Sequence, residues 1–355
     1  MTERKSLVDL MMKRKQDGEL IPLTATFELT HACNLRCCHC YLENSQGSED
    51  ELTTDQWLSC IDQAVDLGAY FATFTGGEIF SRPDFLDIAR YALKRGVFFA
   101  LQTNGTRIDA EMADVVRDLH PTKVEISLYG ASAEVHDGIT GVPGSFRKSV
   151  KAIELLRNRD IKVGVKTTVM SMNRDQVQPI REMAAGLGAW LSADPVVMPG
   201  IKGGDEITSY RMDDDEYREY MISQGWERAT GKEVEDLVRD NDRPDRRVLC
   251  PSAKKRFSVS ARGEVIPCVI WRHSCGNLKE QSLESIWFGE TMTRFRELAF
   301  EDLEACVGCE TYENCVRCAG LAEIETGDYR GCPSESRRLS RILTEIKDKT
   351  RRKGG

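Results

Sequence analysis

The sequence predicts an α/β fold: a partial (β/α)6 TIM-like barrel followed by a small Cys-rich domain. Three observations carry this. Six β-rich runs alternate with amphipathic helical patterns between about residues 22 and 200. That order builds a parallel sheet with helical crossovers. Six units fall short of the eight that close a full barrel, so the barrel is open or partial. Finally, the 13 cysteines form two groups, with none between Cys60 and Cys250.

The elements follow in order. A charged N-terminal stretch, residues 1–21, reads as a helix, and the first strand is TATFEL. Thr53 and Gln56 then form a capping box, Trp57, Ile61, Ala64 and Val65 an apolar stripe, and Gly68 a stop. Cys60 lies on that stripe and reads as a buried apolar residue. YFATFTG, VFFALQT, KVEISLY, KVGVKTTV and AWLSADPVV supply the other five strands. Phe146, Val150, Ile153 and Leu156 repeat the helical stripe after the fourth. Residues 201–249 are rich in charge, as in MDDDEYREY, and read as a helical linker. Cysteines crowd residues 250–335, and a helix with a basic tail closes the chain over 336–355, with Leu339, Ile342, Leu343 and Ile346 on one face.

Composition narrows the function. Of 355 residues, 41% are hydrophobic and 30% charged, as in a folded soluble protein. Lys and Arg number 49 against 57 Asp and Glu, a net charge of −8, which argues against nucleic-acid and anionic-membrane partners. No apolar run reaches the ~18 residues of a membrane span, and the N-terminus lacks the apolar core of a signal peptide. A cytoplasmic location follows. A reducing cytosol disfavours disulfides, so dense cysteines read as metal or iron–sulfur ligands.

Cys33, Cys37 and Cys40 place three thiolates within eight residues, just after the first strand. Soft thiolates select iron–sulfur clusters and zinc. Three ligands on a cubane leave one iron open. Zinc is the competing reading, with Cys38 and His39 as further donors, but a closed zinc site needs a second ligand pair and none lies near. Cys306-x2-Cys309-x5-Cys315-x2-Cys318 leaves too short a loop for a zinc ribbon and suits iron–sulfur ligation better. At the end of the sixth strand, Asp194 is a candidate proton acceptor; its plainer role is capping the loop before Pro195.

HACNLRCCHCY resembles the signature of the radical S-adenosylmethionine (SAM) enzymes, Cys-x3-Cys-x2-Cys followed by an aromatic residue. The resemblance implies that Cys33, Cys37 and Cys40 hold a [4Fe–4S] cluster whose open iron binds SAM, with Tyr41 near the adenine. TGGE, with Gly76, Gly77 and Glu78, resembles the family's GGE element, which holds the SAM amino group; Ile79 stands where relatives have Pro. Asn104 in TNGT and Ser127 in ISLYG match further SAM-contacting elements, with Tyr129 replacing the usual Asp. Lys166 lies where relatives place polar groups near SAM. Cys250, Gly263-x4-Cys268, the dense run and Cys332 resemble the SPASM domain, the auxiliary-cluster extension of peptide-modifying members. That implies one auxiliary cluster on Cys250, Cys268 and Cys318, which Cys275 could complete, and another on Cys306, Cys309, Cys315 and Cys332. The chain departs by one residue, with two rather than three residues between Cys315 and Cys318.

The implied activity is reductive cleavage of SAM to a 5′-deoxyadenosyl radical that abstracts hydrogen from a peptide or protein, in maturation of a ribosomally made peptide. Implied partners are that substrate and a flavodoxin- or ferredoxin-type electron donor. A first strand by residue 22 leaves no room for a winged-helix recognition domain, so a separate peptide-delivery protein is a further expected partner. Porphyrin side-chain modification, sulfatase maturation and a non-catalytic electron-transfer protein are the alternatives.

Overall fold

The computed structural model describes residues 20–42, 46–201, 206–225, 239–240, 243–247 and 250–354. The expected N-terminal helix lies outside them, as does much of the charged linker. All six expected strands form. β1 (Thr24–Glu28) leads to α1 (Thr54–Leu67), β2 (Phe71–Thr75), α2 (Phe85–Lys94), β3 (Phe98–Thr103), α3 (Ala110–Asp118) and β4 (Lys123–Ser127). Two helices follow, α4 (Ala133–Thr140) and α5 (Ser145–Arg157), where the sequence pattern suggested one. Then come β5 (Val163–Thr168), α6 (Val177–Gly186), β6 (Trp190–Asp194) and α7 (Asp214–Ser223). The capping box at Thr53 and the left-handed Gly68 stop (φ 99°) bound α1 as read.

The sheet is larger than the six strands. After a two-stranded ribbon, β7 (Arg239–Asp240) and β8 (Arg243–Arg247), come β9 (Arg256–Val259) and β10 (Val265–Ile266). β9 pairs in parallel with β1, from Thr24–Arg256 to Phe27–Val259. β10 pairs antiparallel with β9. The eight strands run β10-β9-β1-β2-β3-β4-β5-β6, so the sheet stays open between β10 and β6. The cysteine-rich region is thereby built onto the barrel's own sheet. Its remaining helices are α8 (Leu283–Trp287), α9 (Glu290–Glu297), α10 (Ala319–Thr326) and α11 (Ser334–Gly354).

Strand alternation divides the two faces. Ala25, Phe27, Phe74, Phe99, Leu101, Val124, Ile126, Val163 and Val165 point outward into the helix layer, where they are buried. Phe74 anchors this layer, with ring centroids 5.8 Å from Phe27 and 5.2 Å from Phe99. Each such ring contributes ~1.5–3 kcal/mol by burial. Glu28, Gln102, Glu125, Ser127, Lys166 and Asp194 occupy the alternate, inward register. Ile342, Leu343 and Ile346 of α11 are buried against Tyr217, Tyr220 and Met221 of α7. No helix among the described residues is long and apolar enough to cross a membrane.

Candidate active site

The loop after β1 carries Cys33, Cys37 and Cys40 and is tied down on several sides. Gly77 and Glu78 donate backbone N–H groups to the Thr30 and Ala32 carbonyls at 2.7 and 2.8 Å. Arg36 and Cys38 donate theirs to Thr140 and Ile139 at the end of α4, at 2.8 and 3.0 Å. Leu35 and Leu42 are buried anchors. Here the two glycines of TGGE are required. Gly76 has φ 139°, and a Cβ on it would sit 2.3 Å from the Thr30 carbonyl; one on Gly77 would sit 2.3 Å from that of Ala32. Their smallness lets the β2 loop pack against the cysteine loop, a closer constraint than ligand approach.

The three thiols are electrostatic neighbours. Burial pushes the Cys33 thiol up, with the charges of Glu78 and Cys40 adding to it. Burial also raises Cys37, with further contributions from Cys40, Cys33 and Cys38. Such mutual repulsion favours a bound cation or cluster that takes up the thiolate charge.

Glu78 is fully buried and accepts three hydrogen bonds: from Thr103 Oγ1 at 2.7 Å, the Asn104 N–H at 2.8 Å and the Phe80 N–H at 3.1 Å. Burial pushes its carboxyl up, while these bonds and the charge of Arg107 pull it down. Three of its roughly four acceptor positions are therefore used by the chain itself. Asn104 Nδ2 donates to Asn34 Oδ1 at 2.9 Å and reaches Cys33 Sγ at 3.9 Å. Glu78, Asn104 and Cys33 thus form one connected unit.

Tyr41 has a role that the sequence alone did not reveal. Its hydroxyl donates to Glu28 at 2.7 Å, and Arg272, from the cysteine-rich region, pairs with both oxygens of that buried carboxylate at 3.0 and 2.9 Å. Burial holds the Tyr41 phenol well above its usual range, and the neighbouring Glu28 adds. Tyr129 is also at the site. Its phenol is raised by burial and by the charges of Cys37, Cys40 and Cys33, and lowered by a hydrogen bond with Ser127. Its ring meets His39 edge-on at 4.5 Å, and its N–H donates to His136 Nδ1 at 3.1 Å. Periodicity carries no signal for these partners; the one clue was that Tyr129 stands in place of Asp.

Ser127, the last residue of β4, is the cross-strand neighbour of Lys166 in β5. Burial raises the Glu125 carboxyl, but hydrogen bonds from Lys123 and Gln102, with the charge of Lys166, outweigh it and lower the group. Asp194 is exposed opposite Thr168, and its Oδ1 accepts the Val196 N–H at 2.9 Å, the loop-capping arrangement.

The C-terminal cysteines lie in separate surroundings. Cys306, Cys309, Cys315 and Cys332 line a single cavity with Arg317. Burial raises the Cys315 thiol to about 11, against a hydrogen bond with Ser340, and Cys306, Cys332 and Cys309 add to it. Cys318 caps the start of α10 and rises to about 11 through burial, with Cys268 and Cys250 among its neighbours. The shortened spacing therefore still delivers Cys318 to the other group. Cys275 stands apart: burial and Glu323 push it up to about 12, Arg294 opposes them, and no cysteine is among its electrostatic neighbours. All-thiolate donor sets of three and four fit iron–sulfur clusters. Among the described residues no three His, Cys, Asp or Glu converge as closely as a single ion requires.

A cysteine trio at the strand ends of a partial barrel, followed by a cysteine-rich region built onto the same sheet, defines a class. Residues 27–185 match the radical SAM superfamily, and residues 250–318 match SPASM, an iron–sulfur cluster-binding domain. The chain belongs to the radical SAM superfamily, in its SPASM-bearing branch, whose cofactors are SAM and [4Fe–4S] clusters. It is 30% identical to the AdoMet-dependent heme synthase of Methanosarcina barkeri, over 87% of this chain and 94% of that one. It is 33% identical to the subtilosin biosynthesis protein AlbA of Bacillus subtilis, over 75% of this chain and 60% of AlbA. The mycofactocin maturase MftC of Mycobacterium tuberculosis is 29% identical over 91% and 84%. Among solved structures, Streptococcus suis SuiB bound to S-adenosylmethionine superposes with a TM-score of 0.70 at 14% identity, covering 92% of this chain and 80% of SuiB.

Proposed function

We propose that this radical SAM enzyme abstracts hydrogen from a peptide or protein substrate, in maturation of a ribosomally made peptide. SAM bound on a four-iron cluster would supply the chemistry, a one-electron reductive cleavage that arms it to take hydrogen from an unactivated carbon. Cys33, Cys37 and Cys40 hold that cluster. Gly76, Gly77, Glu78, Asn104, Ser127 and Lys166 shape the SAM pocket, Glu78 by fixing the loop of Asn104. Tyr41 acts through Glu28, tying the pocket to Arg272.

Cys250, Cys268 and Cys318 hold one auxiliary cluster, and Cys306, Cys309, Cys315 and Cys332 the other. Bound there, such clusters would supply acceptor or relay sites for an electron. Cys275 stays outside both sets, and Asp194 retains one free carboxylate oxygen as a proton acceptor. The observation that supports the radical chemistry is the meeting of three partly buried cysteines with the Glu78–Asn104 unit at the strand ends. The polypeptide substrate is supported by the resemblance to AlbA and MftC, and by SuiB having been crystallised with the precursor peptide SuiA.

A second reading rests on the heme synthase, which this chain matches over 94% of its length. In that reading the substrate is a porphyrin side chain. One experiment decides. Reconstituted enzyme with SAM and dithionite is given either the peptide encoded beside its gene or an iron porphyrin bearing propionates. 5′-Deoxyadenosine release coupled to a mass change of the peptide supports the first reading; coupling to porphyrin alone overturns it. An electron-transfer protein would release none.

A further inference from the structure

Outside the barrel, between α3 and α5, lies an open groove of about 1010 Å³. Its lining includes Arg107, Arg147, Lys148 and Lys151 around an apolar stretch with Phe146. Two carboxylates face it. Glu154 pairs with Lys151 at 2.9 Å, and Asp109 accepts the Met112 N–H as the cap of α3. Among the described residues Arg107, Arg147 and Lys148 have no carboxylate partner within ion-pair distance. Three unpaired cations in one groove stand out on a chain of net charge −8.

The groove also reaches the cysteine loop. Asn34 and Thr106 line it, and Asn34 Nδ2 donates to Thr106 Oγ1 at 2.8 Å. Asn34 Oδ1 accepts from Asn104 Nδ2, the same amide that approaches Cys33 Sγ. One further amide, that of Asn104, therefore separates the groove wall from the Cys33 thiol. A short separation favours electron transfer, and transient redox encounters use small interfaces steered by opposite charge.

We propose that this groove is the docking face for an acidic one-electron donor protein, an inference that rests on Cys33 holding the SAM-binding cluster. The donor gives one electron to that cluster and is itself oxidised by one; no bond forms or breaks in this step. Complementary charge sets the encounter rate, which falls as salt screens it.

The test uses the iron-replete enzyme, SAM, and either dithionite or a reduced acidic ferredoxin as electron source. With ferredoxin, the double variant Arg147→Glu/Lys148→Glu loses at least tenfold in kcat/KM for the donor, while dithionite-driven 5′-deoxyadenosine release is unchanged. Wild-type turnover with ferredoxin falls severalfold between low and physiological salt, and with dithionite it does not. The milder Arg147→Gln/Lys148→Gln pair gives a smaller loss in the same direction and serves if the reversal impairs folding. Equal ferredoxin rates in wild type and variants, a salt-independent rate, or no ferredoxin reduction of a dithionite-active enzyme would each overturn the docking face alone. A raised substrate KM with an unchanged donor KM would make the groove a substrate surface and also end the proposal. Dithionite failing with wild type would instead overturn the assignment of Cys33, Cys37 and Cys40.

Discussion

The barrel cysteines and the C-terminal cysteines are held in contrasting ways. Cys33, Cys37 and Cys40 sit on one short loop tied by backbone hydrogen bonds to the β2 loop and to α4, above a core of packed aromatic rings. Cys306, Cys309, Cys315 and Cys332 come from irregular chain with a few short turns, where Val307 and Val316 are 59% and 65% exposed. The first region rests on that packed core and on the backbone bonds that fix its loop. The second has thiols converging on a cavity with little apolar packing beneath them. Where the core is thin, metal binding supplies the folding free energy.

The sharpest way to break that contrast is to remove iron. Anaerobic chelation is expected to abolish hydrogen-exchange protection and admit proteases around residues 300–318, while β1 to β5 stay protected. Equal loss in both regions would refute it. Next, replacing Cys33, Cys37 and Cys40 together with Ala should lower iron from about 12 to about 8 per chain. Release of 5′-deoxyadenosine should vanish while the melting transition is retained. The matching replacement of Cys306, Cys309, Cys315 and Cys332 should remove as much iron and also destabilise the chain.

The seam between the regions gives the third prediction. Arg272→Met leaves the Glu28 carboxylate buried without its cation and should cost about 3–5 kcal/mol, measured by denaturant unfolding. Adding Glu28→Gln should recover much of it.

Fourth, His136 is fully buried, and burial lowers its pKa to about 4 despite the charge of Asp137. Between that value and 6.5 the unfolded chain binds a proton that the folded chain does not. Stability is therefore complete above about pH 6.5 and falls as pH drops toward 4, by on the order of 2–3 kcal/mol. His136→Gln should flatten this slope; a variant with the wild-type slope would assign it elsewhere.

The smallest effect belongs to Arg317. It is buried and donates to the carbonyls of Tyr329 and Gly331, just before Cys332, while its Nη1 has no hydrogen-bond partner. It also lines the four-cysteine cavity. Its positive charge favours the more negative, reduced cluster. Arg317→Gln should lower the midpoint potential of that cluster by about tenfold in equilibrium constant, ~59 mV for one electron, read by potentiometric EPR. An unmoved potential would leave Arg317 as a loop clamp.

Much of the barrel was legible because its signals are local and repeated. Six alternating runs, the Thr53–Gln56 cap and the Gly68 stop each declare an element within a few residues. The cysteine groups were legible through spacing. What stayed hidden depends on distant pairing. RFSV and VI are too short to read as strands, and β9 finds β1 more than 200 residues away in sequence. The Arg272–Glu28–Tyr41 contact spans a similar distance and leaves no periodic trace. Glu78 read as a ligand group; its three bonds to the chain follow from a loop conformation that no tripeptide encodes.

The parallel pairing of β9 with β1 has a consequence for engineering and for descent. A chain ended near residue 249 would expose the flank of β1, unseat Phe27 from Phe257, and strip the Leu20 carbonyl of its Trp287 donor. Bare strand flanks recruit other chains. A minimal enzyme made by trimming the tail would therefore precipitate before it could be assayed, and any shorter ancestor must have sealed that border with something else.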